Sequence, residues 1–135
     1  MTSWNKTEIE TGIQYPHELL QKYADSLNKE TSGVLGGQVV EKIENEISNK
    51  AQIIYAFYVY LANLKQSYRL FEVEQIGAGV YPVNLNVFYY TGKEEFPNIT
   101  DSDSLERQLD ELIASKKVGA LISHFIRLSE LKDAE

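Results

Sequence analysis

Between residues 51 and 90 this chain carries only four charged side chains, Lys65, Arg69, Glu72 and Glu74, and the run from Ile53 to Leu61 is apolar or aromatic at every position. A run so rich in β-branched and aromatic residues predicts a strand. Both of its alternating sets are apolar, so neither face of that strand should meet bulk water freely. The remaining charge lies on the flanks, with five basic and eight acidic residues in 1–50 and six and ten in 91–135. The pattern predicts a weakly charged central sheet enclosed by solubilising segments.

Other elements follow from periodicity. Residues 1–14 show no period and read as an extended arm, with Trp4 and Ile9 as anchors. Tyr15-Pro16 opens a helix, because proline suits the first helical position. Leu19, Leu20, Tyr23 and Leu27 give that helix one apolar face, and Thr31-Ser32-Gly33 closes it. Residues 34–49 fit either a helix or a strand and are taken as a strand pairing with the next segment. Strands are then predicted over Gln52–Leu61, Ser67–Ile76 and Tyr81–Tyr90. In the second of these, simple alternation places Arg69 with Phe71 and Val73, opposite Glu72 and Glu74. Pro82 lacks a ladder donor and belongs at a strand start or an edge. Thr91 to Thr100 reads as a loop. Asp103 and Glu106 have capping-box spacing for a helix carrying Leu105, Leu109, Leu112 and Ile113. Val118, Leu121, Ile122, Phe125 and Leu128 continue it, as one bent helix or as two over 104–131. The expected fold is one α+β domain, 1–135. It comprises a three- or four-stranded antiparallel meander, preceded by one helix and followed by one or two C-terminal helices packed on one face. Short connections require neighbouring strands to be antiparallel.

Composition narrows the function. The 135 residues suffice for one ordinary core without staples. Absence of cysteine excludes disulfides, thiolate metal sites and cysteine nucleophiles. A formal charge of −7 argues against nucleic-acid binding, which lysine and arginine drive by releasing counterions. No apolar run reaches the length of a membrane span and the N-terminus lacks a basic, then apolar, leader. A cytoplasmic protein without membrane contact is the expectation.

No catalytic, cofactor or metal pattern is evident. Neither His17 nor His124 has a second ligand at i+3 or i+4. The Gly77-Ala78-Gly79 turn joins two strands, so no helix N-terminus points at a phosphate there. Glu72 and Glu74, two apart on a strand, share one face and read as its wet side, with paired-carboxylate chemistry as the sharper alternative. The nine tyrosines are the compositional oddity, and seven of them, from Tyr55 to Tyr90, fall in the sheet region. If helices cover the Val83, Leu85 and Val87 side, the other side presents Asn84, Asn86, Phe88 and Tyr90, and either apolar set of the central strand, most simply Tyr58 and Tyr60, adds tyrosines beside them. Together with Glu72 and Glu74 these form the expected binding surface, amphipathic and able to hydrogen-bond a partner. The function expected is therefore a non-catalytic interaction module that binds another protein or a second copy of itself as a homodimer. An acidic inhibitor or immunity-type protein is one concrete form. The alternative is a small-molecule site or small enzyme with a pocket between sheet and helix.

Overall fold

The computed structural model describes residues 14–45, 51–76, 79–89 and 92–133. Its elements run α1 (Pro16–Glu30), β1 (Leu35–Asn45), β2 (Ala51–Leu61), β3 (Gln66–Gln75), β4 (Val83–Tyr89), β5 (Gly92–Ile99), α2 (Ser102–Ile113) and α3 (Lys116–Asp133). The strands form one antiparallel sheet in the order β1-β2-β3-β4-β5. The α+β class stands, but the sheet has five strands where the sequence predicts three or four. The arm, with Trp4 and Ile9, lies outside the described residues.

The extra strand is β5, which occupies the segment expected to be a loop. Lys93, Glu94, Glu95 and Pro97 hide it, because edge strands carry charge and proline to discourage further pairing. The C-terminal region resolves into two helices. Ser115 separates them, its hydroxyl donating to Leu112 O at 2.6 Å and accepting from Val118 N–H at 3.3 Å. One side chain thus closes α2 and opens α3.

The start of α2 corrects the expected capping box. Its N-cap is Asp101, whose carboxylate accepts the Ser104 N–H at 2.7 Å, and Asp103 lies inside the first turn. Those hydrogen bonds hold the Asp101 carboxyl below the usual aspartate range. A depressed folded-state pKa contributes stability above the ordinary range and loses it as pH falls through the shifted value. The gap in denaturation midpoint between wild type and Asp101→Ala should therefore be greatest at neutral pH, with wild type the more stable, and shrink as pH falls below the ordinary aspartate range.

The three described helices pack on one face of the sheet. Tyr55, Phe57, Val59 and Leu61 of β2 point to this side, with Phe71 and Val73 of β3 and Val83, Leu85 and Val87 of β4. Leu19, Leu20 and Ala24 of α1 meet them, as do Leu105, Leu109 and Leu112 of α2 and Val118, Leu121 and Phe125 of α3. Phe57 stacks on Phe71 at 4.7 Å and Tyr68 on Phe125 at 4.9 Å. Gly37 sets the helix–sheet distance, since a Cβ there would lie 2.5 Å from the Ala24 Cα. It thus serves the close approach of α1 to β1.

The end of α1 uses a left-handed serine. Ser32 has φ 53° and its N–H donates to Lys29 O, while the Gly33 N–H donates to Asn28 O. These two bonds are the paired closing bonds of a Schellman turn. Thr31 Oγ1 then accepts the Leu35 N–H at 3.1 Å, tying the helix end to the first strand.

Candidate functional site

A single inserted residue arranges the site. The β2–β3 register runs Phe57↔Phe71 and then Tyr58↔Arg69, so Leu70 is a bulge. On one side of it Tyr68 joins Phe71 and Val73 beneath the helices; on the other Arg69 joins Glu72 and Glu74 away from them. Unbroken alternation assigns Arg69 to the Phe71 side, and the bulge reverses that assignment. Arg69 meets Glu72 at 3.5 Å and its guanidinium lies 3.8 Å from the centroid of the Phe88 ring. The pair is sheltered on the carboxylate side, where the Glu72 side chain is only 13% exposed.

The face on which none of the described helices packs, called the helix-free face below, is read off the register in rows. Val40, Ala56, Glu72, Asn86 and Glu95 form one row, and Lys42, Ile54, Glu74 and Asn84 the next. Gln38, Tyr58 and Arg69 form a third, and Gly36, Tyr60 and Ser67 a fourth. Seven of the expected binding residues, Tyr58, Tyr60, Glu72, Glu74, Asn84, Asn86 and Phe88, therefore share this face. Tyr90 lies outside the described residues. Ile54 and Ala56 are buried here, flanked across the strands by Lys42 and Glu74 and by Val40 and Glu72. Asn86 is 6% exposed although it points away from the core.

Two of these side chains have local duties. Asn84 Oδ1 accepts the Asn98 N–H at 3.0 Å, where β5 slips by one residue against β4 and Asn98 takes φ 62°. It thereby fixes the far edge of the sheet. Ser67 donates to Gln38 Oε1 at 3.1 Å, which joins β1 to β3 across the tyrosine rows. Lys93 meets Glu95 at 2.9 Å, and the hydrogen bond and charge of Glu95 raise the Lys93 pKa, with Glu74 and Glu72 adding. Lys42, Arg69 and Lys93 thus stand against Glu72, Glu74 and Glu95, and the described side chains of this face balance in charge. Sequence reasoning misses Arg69 and Lys93 as members of this surface, because a bulge and a charged edge strand both escape periodicity.

The helix side holds a cavity of about 220 Å³ between α1, the α2–α3 corner and the sheet. Leu27, Phe57, Leu70, Phe71, Val118 and Ile122 supply its apolar lining, and Tyr23 stands at its wall. The Tyr23 hydroxyl donates to Asp110 Oδ1 at 2.6 Å; burial and then that carboxylate raise its pKa. Burial, with the Asp101 carboxylate adding, likewise pushes Tyr81 up to about 12, and its hydroxyl donates to Gln14 O at 3.0 Å. Both phenols remain neutral donors, Tyr23 tying α1 to α2 and Tyr81 holding Gln14 just ahead of α1. Glu72 and Glu74 do not reach this cavity, since they lie on the opposite face. Gly119 is in the cavity wall and a Cβ there would meet nothing within 4 Å. Gly119→Ala is expected to stabilise by about 0.5–1 kcal/mol by restricting the unfolded chain and favouring helix. Urea denaturation followed by circular dichroism measures it.

His17 stacks between Tyr15 and Tyr55, 5.9 Å from each ring, and its buried Nδ1 has no hydrogen-bond partner among the described residues. Among the described residues no group of three histidines or carboxylates could hold a metal ion, and no helix is long and apolar enough to cross a membrane. Comparison with known proteins returns no match, whether to a protein-family model, a curated protein or a solved structure.

Proposed function

We propose that the chain is a non-catalytic interaction module whose helix-free sheet face docks another protein. The observation that carries this reading is the collection of Tyr58, Tyr60, Asn86, Phe88 and the Arg69–Glu72 pair on one face, with the helices packed on the other. Tyrosine and arginine are enriched at interface centres because each offers apolar area and a directional polar end. Charge balance among the described side chains of this face favours a partner surface that is neutral and rich in hydrogen-bonding groups. An acidic inhibitor of a basic enzyme would draw instead on α2, where Asp103, Glu106, Asp110 and Glu111 stand against Arg107. Placing a photo-crosslinking amino acid at Tyr60, and as control at Arg127 on α3, tests the face in cells that make the protein. A discrete adduct with a different protein is expected at Tyr60 alone and should disappear with Arg69→Glu. No adduct at Tyr60, an adduct only with a second copy, or equal adducts at both positions would remove the reading.

The cavity supports a second reading, a small apolar ligand. Its 220 Å³ matches little more than one aromatic ring. Benzene, indole and short fatty acids should raise the thermal midpoint of wild type and not of Gly119→Leu, which fills the space. Equal shifts in both would discard a ligand role for this cavity.

A further inference from the structure

A five-stranded sheet has two edges, and here they differ. The β5 edge is eight residues long, carries Lys93, Glu94, Glu95 and Pro97, and slips register near Asn98. Each of these features discourages a further strand from pairing. The β1 edge is eleven residues long, pairs with β2 from Leu35 to Asn45 without a register shift, and contains no proline. The Leu35 N–H and carbonyl are taken by Thr31 Oγ1, but from Gly37 onward the outward main-chain groups meet no partner among the described residues and form a row of donors and acceptors that another extended strand satisfies. It also leaves large apolar side chains bare, with Val40 41% and Ile43 69% exposed.

We infer that β1 pairs antiparallel with β1 of a second copy, joining two sheets into one of ten strands. The strand's own sequence selects this occupant. A two-fold axis perpendicular to the sheet keeps equivalent faces on the same side, so residues that point the same way must meet. Overlap from Gly37 to Ile43, clear of the Thr31–Leu35 bonds, sets the axis at Val40. Val40 then faces its own copy, Val39 faces Glu41, Gln38 faces Lys42, and Ile43 lies across from Gly37. No like charges stand opposite in this register. Moving the axis to residue 41 sets Glu41 against Glu41, and moving it to residue 42 sets Lys42 against Lys42, each of which is repulsive. Gly36 adds no obstacle, since even a Cβ there would touch nothing within 4 Å. The pairing uses the edge, so it stands or falls independently of the proposed docking on the face. It also sets two such faces side by side.

Light scattering on the full chain over a concentration series tests the inference. A monomer-to-dimer shift is expected, and Val40→Lys, which sets two ammonium groups across the axis, should abolish it with circular dichroism unchanged. Because the chain has no cysteine, Val40→Cys adds a unique thiol. Directly opposed Cβ atoms lie about 4.5–5.5 Å apart across an antiparallel pair, close enough for a disulfide after small adjustment. Val40→Cys should collect as a disulfide-linked dimer under mild oxidation, while Lys93→Cys on the β5 edge stays monomeric. A wild type that is monomeric throughout the series, a Val40→Lys variant that still dimerises, or a Lys93→Cys variant that crosslinks as fast as Val40→Cys would each overturn the pairing.

Discussion

Replacing Gly37 by alanine is expected to cost stability at the upper end of the 1–3 kcal/mol typical of overpacking, roughly 10 °C in the thermal midpoint. The added Cβ would sit 2.5 Å from the Ala24 Cα, 2.6 Å from its Cβ and 3.0 Å from Cζ of Phe57. A clash with a flexible side-chain tip would be relieved by a rotamer change. This one is with helix backbone, so α1 must move off the sheet, and buried Leu19, Leu20 and Ala24 move with it. The companion Ala24→Gly takes away the methyl group but leaves the helix main chain in the way, so it should not rescue Gly37→Ala. Thermal and urea denaturation of the two single variants and the double variant measure this. A Gly37→Ala midpoint within about 1 °C of wild type would show that the helix–sheet spacing is not set at this point.

Phe71→Ala should cost more, about 3–5 kcal/mol, as large-to-small changes of fully buried aromatics do. The ring has no exposed surface, stacks on Phe57 at 4.7 Å and forms part of the cavity wall. Its removal merges a ring-sized void with the existing space, and the neighbouring bulge limits how far β3 can close in. With domain stabilities commonly about 5–15 kcal/mol, the variant should unfold at markedly lower urea than wild type. Indole or benzene should restore part of the loss by occupying the enlarged cavity. Phe71→Leu, which retains most of the volume, should lose less than half as much. If the alanine variant loses no more than the leucine variant, the site collapses and the ring is not a keystone of this core.

Legibility follows the period of the pattern. The helix from Pro16 and the strands at β2 and β4 are readable because long apolar runs of regular spacing dominate them. Alternation puts Asn86 and Phe88 on one face, but both sets of β2 are apolar, so only the strand register shows that Tyr58 and Tyr60 join them. What fails to show are departures from period. Leu70 is an inserted residue, and nothing in Tyr68–Val73 marks which position is extra, so alternation puts Arg69 on the wrong side. The strand β5 is invisible because an edge strand is selected against looking like a strand. In Asp101-Ser102-Asp103-Ser104 two aspartates compete for one cap, and the choice depends on where the chain leaves β5. Gly37 looks like a weak point in a strand, because no local pattern reveals that a helix will press against it.

The meander has a consequence for synthesis. Each strand lies beside the one made just before it, so pairing needs only short loops to close and proceeds as the chain emerges. The roof over β3 and β4 arrives last, since Leu105, Leu109, Leu112, Val118 and Phe125 all follow the final strand. Until then Phe71, Leu85 and Val87 belong to a finished sheet with one greasy side open, the kind of species that sticks to others of its kind or to chaperones. A product that terminates at Ile99 would stay in that state, which makes the C-terminal helices the step that ends the protein's most hazardous interval.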